Sequence, residues 1–216
     1  MQLYTNNIAY RYNENLIKAV KKRKKFEFKK DREFEELVDK FEFMFMISDW
    51  ETSVLNNVVS QQVMKNYHIV EAPSYSLDIV FDNLQKAGKY VILEKEFKKV
   101  EKYIIHDEIY ILKKLSVDAP LEKVKTLNDM STIIKKTYVR KPKIEKVLID
   151  VFNDKFFKKI YECEIENIYR EILEKYKINV STMMRYADKK HCKDDVKSFF
   201  EDIGFDIERG EFDDNR

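Results

Sequence analysis

Two carboxylates stand where an open α/β sheet would place a site. Asp49 and Glu71 fall at the ends of adjacent predicted strands. A metal-dependent nuclease of the Asp…Glu-x-Lys kind needs two acids to hold Mg²⁺ and a lysine two residues after the second acid, close to the attacking water. Position 73 is Pro, so that lysine is missing, and a surface or capping role competes with the catalytic one. His68, His106 and His191 are scattered, and the neighbours His191 and Cys192 point to different helix faces, so neither set has the paired spacing of a zinc site. Only Gly88, Gly204 and Gly210 could let the backbone turn tightly around a phosphate. A P-loop, a dinucleotide fingerprint and a Gly-Ser nucleotidyltransferase motif are all missing, which removes most nucleotide-handling enzymes. No catalytic residue, metal or cofactor is expected.

The basic clusters point to binding instead. Arg185 and Lys189 are four residues apart on a predicted helix, with Tyr186 and Lys190 beside them, so the charges can converge on one anionic partner. A solvated helix face pairing with Asp188 or Asp194 is the competing reading. Glu145 and Asp150 read as capping or internal pairing groups. Residues 1–32 carry ten basic side chains against three acids, and Arg11, Lys21, Lys22, Arg23, Lys24 and Lys25 are candidates for nucleic-acid contact. Residues 201–216 run the other way, with seven acids against Arg209 and Arg216. A basic head and an acidic tail lie behind a net charge of only +2.

The elements that must position these residues follow from periodicity. Ile8, Ala9, Tyr12, Leu16, Ile17 and Val20 recur at helical spacing after Thr5, and the basic run then gives way to an alternating Phe26-Glu27-Phe28 strand. Phe34, Leu37, Val38 and Phe41 make an amphipathic stripe, and strands are expected at Phe43–Ile47, Tyr67–Glu71 and Tyr90–Leu93. Between them, Thr52 opens one predicted helix and Ser74 or Ser76 another, the second stopped by Gly88. That alternation builds a parallel sheet covered by helices. Glu108–Leu115 reads as a further strand, and Glu122–Tyr138 has no decisive period. Beyond Pro142 the stripes are helical, with Ser181 opening the helix of Met183, Met184 and Ala187. The fold class is therefore α/β, a small sheet with covering helices followed by a C-terminal helical bundle. Four segments are expected: a basic 1–30, an α/β part 31–120, a helical part 121–205 and a flexible acidic tail 206–216.

One stretch also has the order of a family signature. Pro142, Ile144-Glu145-Lys146 and Leu148-Ile149-Asp150-Val151-Phe152 precede Tyr176-Lys177-Ile178-Asn179 and Arg185-Tyr186-Ala187-Asp188-Lys189-Lys190. This resembles the C-terminal domain of AbiEi-type antitoxins, the regulatory half of type IV toxin–antitoxin operons of abortive infection. Trp50-Glu51-Thr52, Leu55-Asn56 and Ile69-Val70-Glu71 match the family's first half, so the likeness covers roughly residues 31–200 and is specific in 142–190. It implies a non-enzymatic antitoxin or transcriptional regulator whose partner is a nucleotidyltransferase-like toxin, with DNA as a second partner. Such proteins carry a winged helix-turn-helix at the N-terminus, of which residues 1–30 would be a truncated remnant. Family members often have two arginines where this chain has Lys189 and Lys190, and lysine lacks the bidentate fork. A metal-dependent phosphodiester-cleaving enzyme, or an orphan interaction domain of the same ancestry, are the alternatives.

Cys163 and Cys192 lie in helical segments of a chain that opens without a signal-peptide pattern, so reduced thiols in the cytoplasm are expected. Every apolar run is interrupted by charge well short of the ~20 residues that span a bilayer. No membrane association is expected.

Overall fold

The computed structural model describes residues 23–29, 31–41, 46–59, 65–100, 105–122 and 138–212. The predicted helix Thr5–Val20 lies outside them, as do Arg11, Lys21 and Lys22. The fold is α/β, with a mixed five-stranded sheet and, among the described residues, eight α-helices, five of them in the C-terminal part.

Asp31 accepts the backbone N–H of Phe34 at 2.9 Å and so caps helix α1 (Arg32–Val38). Strands β1 (Met46–Glu51) and β2 (His68–Ala72) follow, then helix α2 (Leu77–Lys86) and strand β3 (Val91–Leu93). Gly88 takes a positive φ of 77° just after α2, the conformation that ends a helix at least cost in glycine. A short helix α3 (Phe97–Val100) leads to strand β4 (Tyr110–Lys114), and strand β5 (Tyr138–Arg140) completes the order β3-β4-β2-β1-β5. Three neighbouring pairs are parallel, but β1 and β2 run antiparallel. The all-parallel sheet expected from strand–helix alternation is corrected there. In place of the helix expected after Thr52, the described residues show one short 3-10 turn, Thr52–Leu55. Strand β2 then pairs antiparallel with β1.

The sheet separates two apolar layers. Ile47, Val70, Ala72, Val91 and Leu112 face Phe34, Val38, Val80 and Leu84 of α1 and α2. Trp50, Ile69, Ile92 and Ile111 face the helices of the C-terminal part. These are α4 (Ile144–Asn153), α5 (Lys155–Tyr161), α6 (Ile165–Lys175), α7 (Val180–Lys189) and α8 (Lys193–Asp202). Positions 144–151 of α4 are all buried, as expected of a helix enclosed on every side. One core cluster runs from Phe26 through the sheet to Phe205, so residues 31–120 and 121–205 share it.

Three further expectations change. Phe26, Glu27 and Phe28 belong to no strand; the segment is held by a single bridge, Lys24 to Tyr176, and by ring contacts of Phe26 with Tyr176 and Phe28 with Trp50. Asn179, not Ser181, caps α7, its side chain accepting the Thr182 N–H at 2.8 Å. The expected loose tail begins instead as a hairpin of β6 (Phe205–Asp206) and β7 (Glu211–Phe212), pinned by Arg23 donating to the Gly210 carbonyl at 2.6 Å. No helix among the described residues is long and apolar enough to cross a membrane.

Candidate functional site

The antiparallel register decides the fate of the two candidate carboxylates. Ser48 lies opposite Glu71 and Asp49 opposite Val70. Directly opposed residues share a face and successive ones alternate, so Asp49 and Glu71 point to opposite sides of the sheet. They cannot hold one metal ion between them. On the α1 side, Asp49 accepts from the Lys141 ammonium at 2.6 Å, and its second oxygen, Oδ1, is buried without a hydrogen-bond partner among the described residues. Burial pushes its carboxyl above the usual range, more than Lys141 pulls it down.

Glu71, on the other side, belongs to a buried charge network. Lys146 of α4, with no exposed surface, donates to both Glu71 oxygens at 2.8 and 2.6 Å and to Asp150 Oδ2 at 2.6 Å. Asp150 Oδ1 accepts from the Tyr186 hydroxyl at 3.1 Å, and the Lys190 ammonium stands 3.5 Å away. Beside Glu71 on β4, Lys113 pairs with Asp154 and, at 3.1 Å, with Glu94, while its ammonium sits 4.5 Å from the centre of the Phe157 ring. Burial works against every charge here, but the ammonium groups of Lys146, Lys190 and Lys113 hold Asp150 below the usual carboxylate range. Lys146, in turn, is raised by Asp150 and Glu71 despite its burial. An ammonium with three donors and three carboxylate oxygens within 2.8 Å has no proton left to give a substrate. The network's chemistry is positional: it locks β2, α4 and α7 together.

That lock divides the signature residues of α7. Tyr186 is buried and Lys190 turns inward to Asp150 and to Ser116, 3.5 Å away. Arg185 and Lys189 are exposed, with Lys189 only at 4.0 Å from Asp118. The four residues therefore make no single patch; two anchor the helix and two face solvent. Glu145 accepts the Asn179 N–H at 2.7 Å, supporting the start of α7. At the N-terminal end, Arg23 is engaged with Gly210, Lys24 bridges to Tyr176 through its backbone, and Lys25 lies 3.5 Å from Glu122.

The histidines stay apart: His68 stacks on Tyr110, His106 on Tyr90, and His191 ends α7 with a φ of 56°. Cys163 is exposed, Cys192 buried, and both are free thiols. Within the network, the contact that spacing alone suggests is Lys146 with Asp150, opposite charges four residues apart inside an apolar run; Glu71, Tyr186 and Lys190 stand out in the sequence for other roles. Nothing in the order of residues marks Lys113 or Glu94.

A profile described as a family of unknown function, DUF6577, matches residues 1–204. No curated protein and no solved structure matches the chain.

Proposed function

The chain belongs to the DUF6577 family, and we propose that this member is a non-enzymatic, antitoxin-like regulator that neutralises a nucleotidyltransferase-like toxin. The outward face of α7 is the contact surface. The observation that carries this reading is the division of labour on that helix: Tyr186 and Lys190 clamp it to Asp150, which leaves Arg185 and Lys189 fixed and exposed. A cationic pair on an anchored helix loses little freedom on binding an acidic partner, and preorganisation of that kind favours affinity. The same geometry disfavours the nuclease alternative, because Asp49 and Glu71 lie on opposite faces of the sheet. We place the protein in the cytoplasm, in keeping with its free thiols, and assign any DNA contact to the basic head, where ten basic residues outnumber three acids in residues 1–32.

Growth rescue tests the proposal. The neighbouring gene is induced alone and then with this protein. We expect rescue by the natural chain and loss of rescue by the double variant Arg185→Glu/Lys189→Glu, with the variant's thermal unfolding unchanged. A toxic neighbour that is not rescued, or rescue that survives the charge reversal, overturns it.

A further inference from the structure

Around the buried Lys113 two acids are tied up by its ammonium, and lysines dominate the surface outside them; Glu94, partly exposed, also lines the slot described below, with its carboxylate paired to Lys113. Lys113 engages both Glu94, at 3.1 Å, and Asp154. On the outside of these two acids, a 3-10 turn (Glu94–Glu96) and α3 bring Lys95, Lys98 and Lys99 to the surface, and α5 brings Lys155, Lys158 and Lys159. All six are exposed. Among the described residues, Lys95, Lys98 and Lys155 have no acidic partner within ion-pair distance, and Glu96 is the one further acid in these two short segments.

Four of the lysines, Lys95, Lys98, Lys155 and Lys159, line one slot of about 360 Å³. Phe97 and Phe156 form its floor, their ring centres 4.8 Å apart and nearly perpendicular. Lysines around the slot supply point charges for successive phosphates of a nucleic-acid strand, and the edges of Phe97 and Phe156 at its base can meet a sugar or base edge but offer no open face for stacking. A purely acidic peptide would leave the apolar base of the slot without a counterpart. An anionic bilayer needs apolar side chains that project outward, whereas Phe97 and Phe156 are 4% and 6% exposed and lie beneath the lysines.

We propose that this lysine-rimmed slot binds single-stranded nucleic acid through its phosphate backbone, with one nucleotide turned into the slot. The site lies on a different element from α7 and does not depend on the antitoxin reading.

Fluorescence anisotropy of the full chain with a labelled oligothymidylate, titrated over a range of salt, tests it. The double variant Lys98→Ala/Lys155→Ala removes exposed side chains only, and far-UV circular dichroism checks that it folds. Each phosphate contact contributes about 0.7 to the slope of log K against log salt for single strands, so the variant should flatten the slope by about 1.4. Lys98→Arg/Lys155→Arg should keep the natural slope. A second comparison neutralises Lys21, Lys22, Lys24 and Lys25, which should leave the 1.4-unit difference between natural and doubly substituted slots in place. No binding at low salt, or an unchanged slope in Lys98→Ala/Lys155→Ala, overturns the proposal. So does equally tight binding to duplex DNA, to polyglutamate or to phosphatidylglycerol vesicles.

Discussion

Lys146 directs its ammonium at three carboxylate oxygens within 2.8 Å while wholly removed from water. Removing one member of such a cluster is worse than removing all of it, because the remaining charges stay buried without a counter-ion. Lys146→Met should therefore destabilise the protein by about 3–5 kcal/mol, measured by urea unfolding. Lys146→Met combined with Glu71→Leu and Asp150→Leu should recover most of that loss. If the single and triple variants unfold at the same urea concentration, the carboxylates are not held by Lys146. This cluster was only half legible in the order of residues. The spacing of Lys146 and Asp150 is visible, but Glu71 joins them only through the tertiary fold, which lays the C-terminal helices on the face of β2 that Glu71 shares with Ile69. Alternation along a strand says which of its own residues share a face; it carries no information on the register with the neighbouring strand. For that reason Asp49 and Glu71 looked like a pair and are not one.

At the scale of elements, the start of α7 matters most to the candidate surface. Asn179 closes the first turn by accepting the Thr182 N–H at 2.8 Å, and its own N–H is taken by Glu145 at 2.7 Å. Asn179→Ala should cost about 1 kcal/mol, while Ser181→Ala, exposed and within the helix, should stay within about 0.5 kcal/mol of the natural protein. Equal effects in thermal unfolding would show that the cap does not set the helix. Ser181 was the residue the pattern favoured, since both residues are good caps and the apolar positions do not tell a helix begun at 180 from one begun two residues later. Other elements were legible to within a few residues. The helix closed by Gly88 has a clear helical period, and the strands near Tyr67–Glu71 and Tyr90–Leu93 are short apolar runs with clear stops. Strand β5 has no such signal, because Tyr138-Val139-Arg140 is not a continuous apolar run as Val91–Leu93 is, and it is too short to show alternation.

Across the whole molecule, the same core cluster holds Trp50 of the sheet and Phe157 of the helical part, their rings stacked 5.5 Å apart. The chain has one tryptophan, so its fluorescence reports directly on that junction. Acid provides the matching perturbation, and the signs differ among the buried acids. Asp150 and Asp154 are held below the usual carboxylate range by their lysines once the cost of burial is overcome, so the stability they contribute is present above about pH 4 and lost as pH falls through their lower folded values. Asp49 and Glu94 are raised by burial, so their contribution is lost as pH rises through their folded values and returns on mild acidification. The urea midpoint should hold or rise slightly from neutral pH to about pH 5, then fall steeply below about pH 4. Trp50 fluorescence and far-UV circular dichroism should trace the same transition throughout; separate midpoints would mean that the sheet and the helices come apart independently.

The burial of Lys146 also constrains the order of assembly. Its partners come from β2 and from its own helix, and an intermediate that dehydrates the ammonium before Glu71 is in place leaves it Asp150 as its one carboxylate of the cluster, with the donors that Glu71 accepts unmet, at a cost in free energy. A strand register shifted by one residue would carry Glu71 to the far face and leave the ammonium with Asp150 alone. Packings that keep residues 71, 146 and 150 apart carry that cost even where the surrounding apolar side chains would tolerate them.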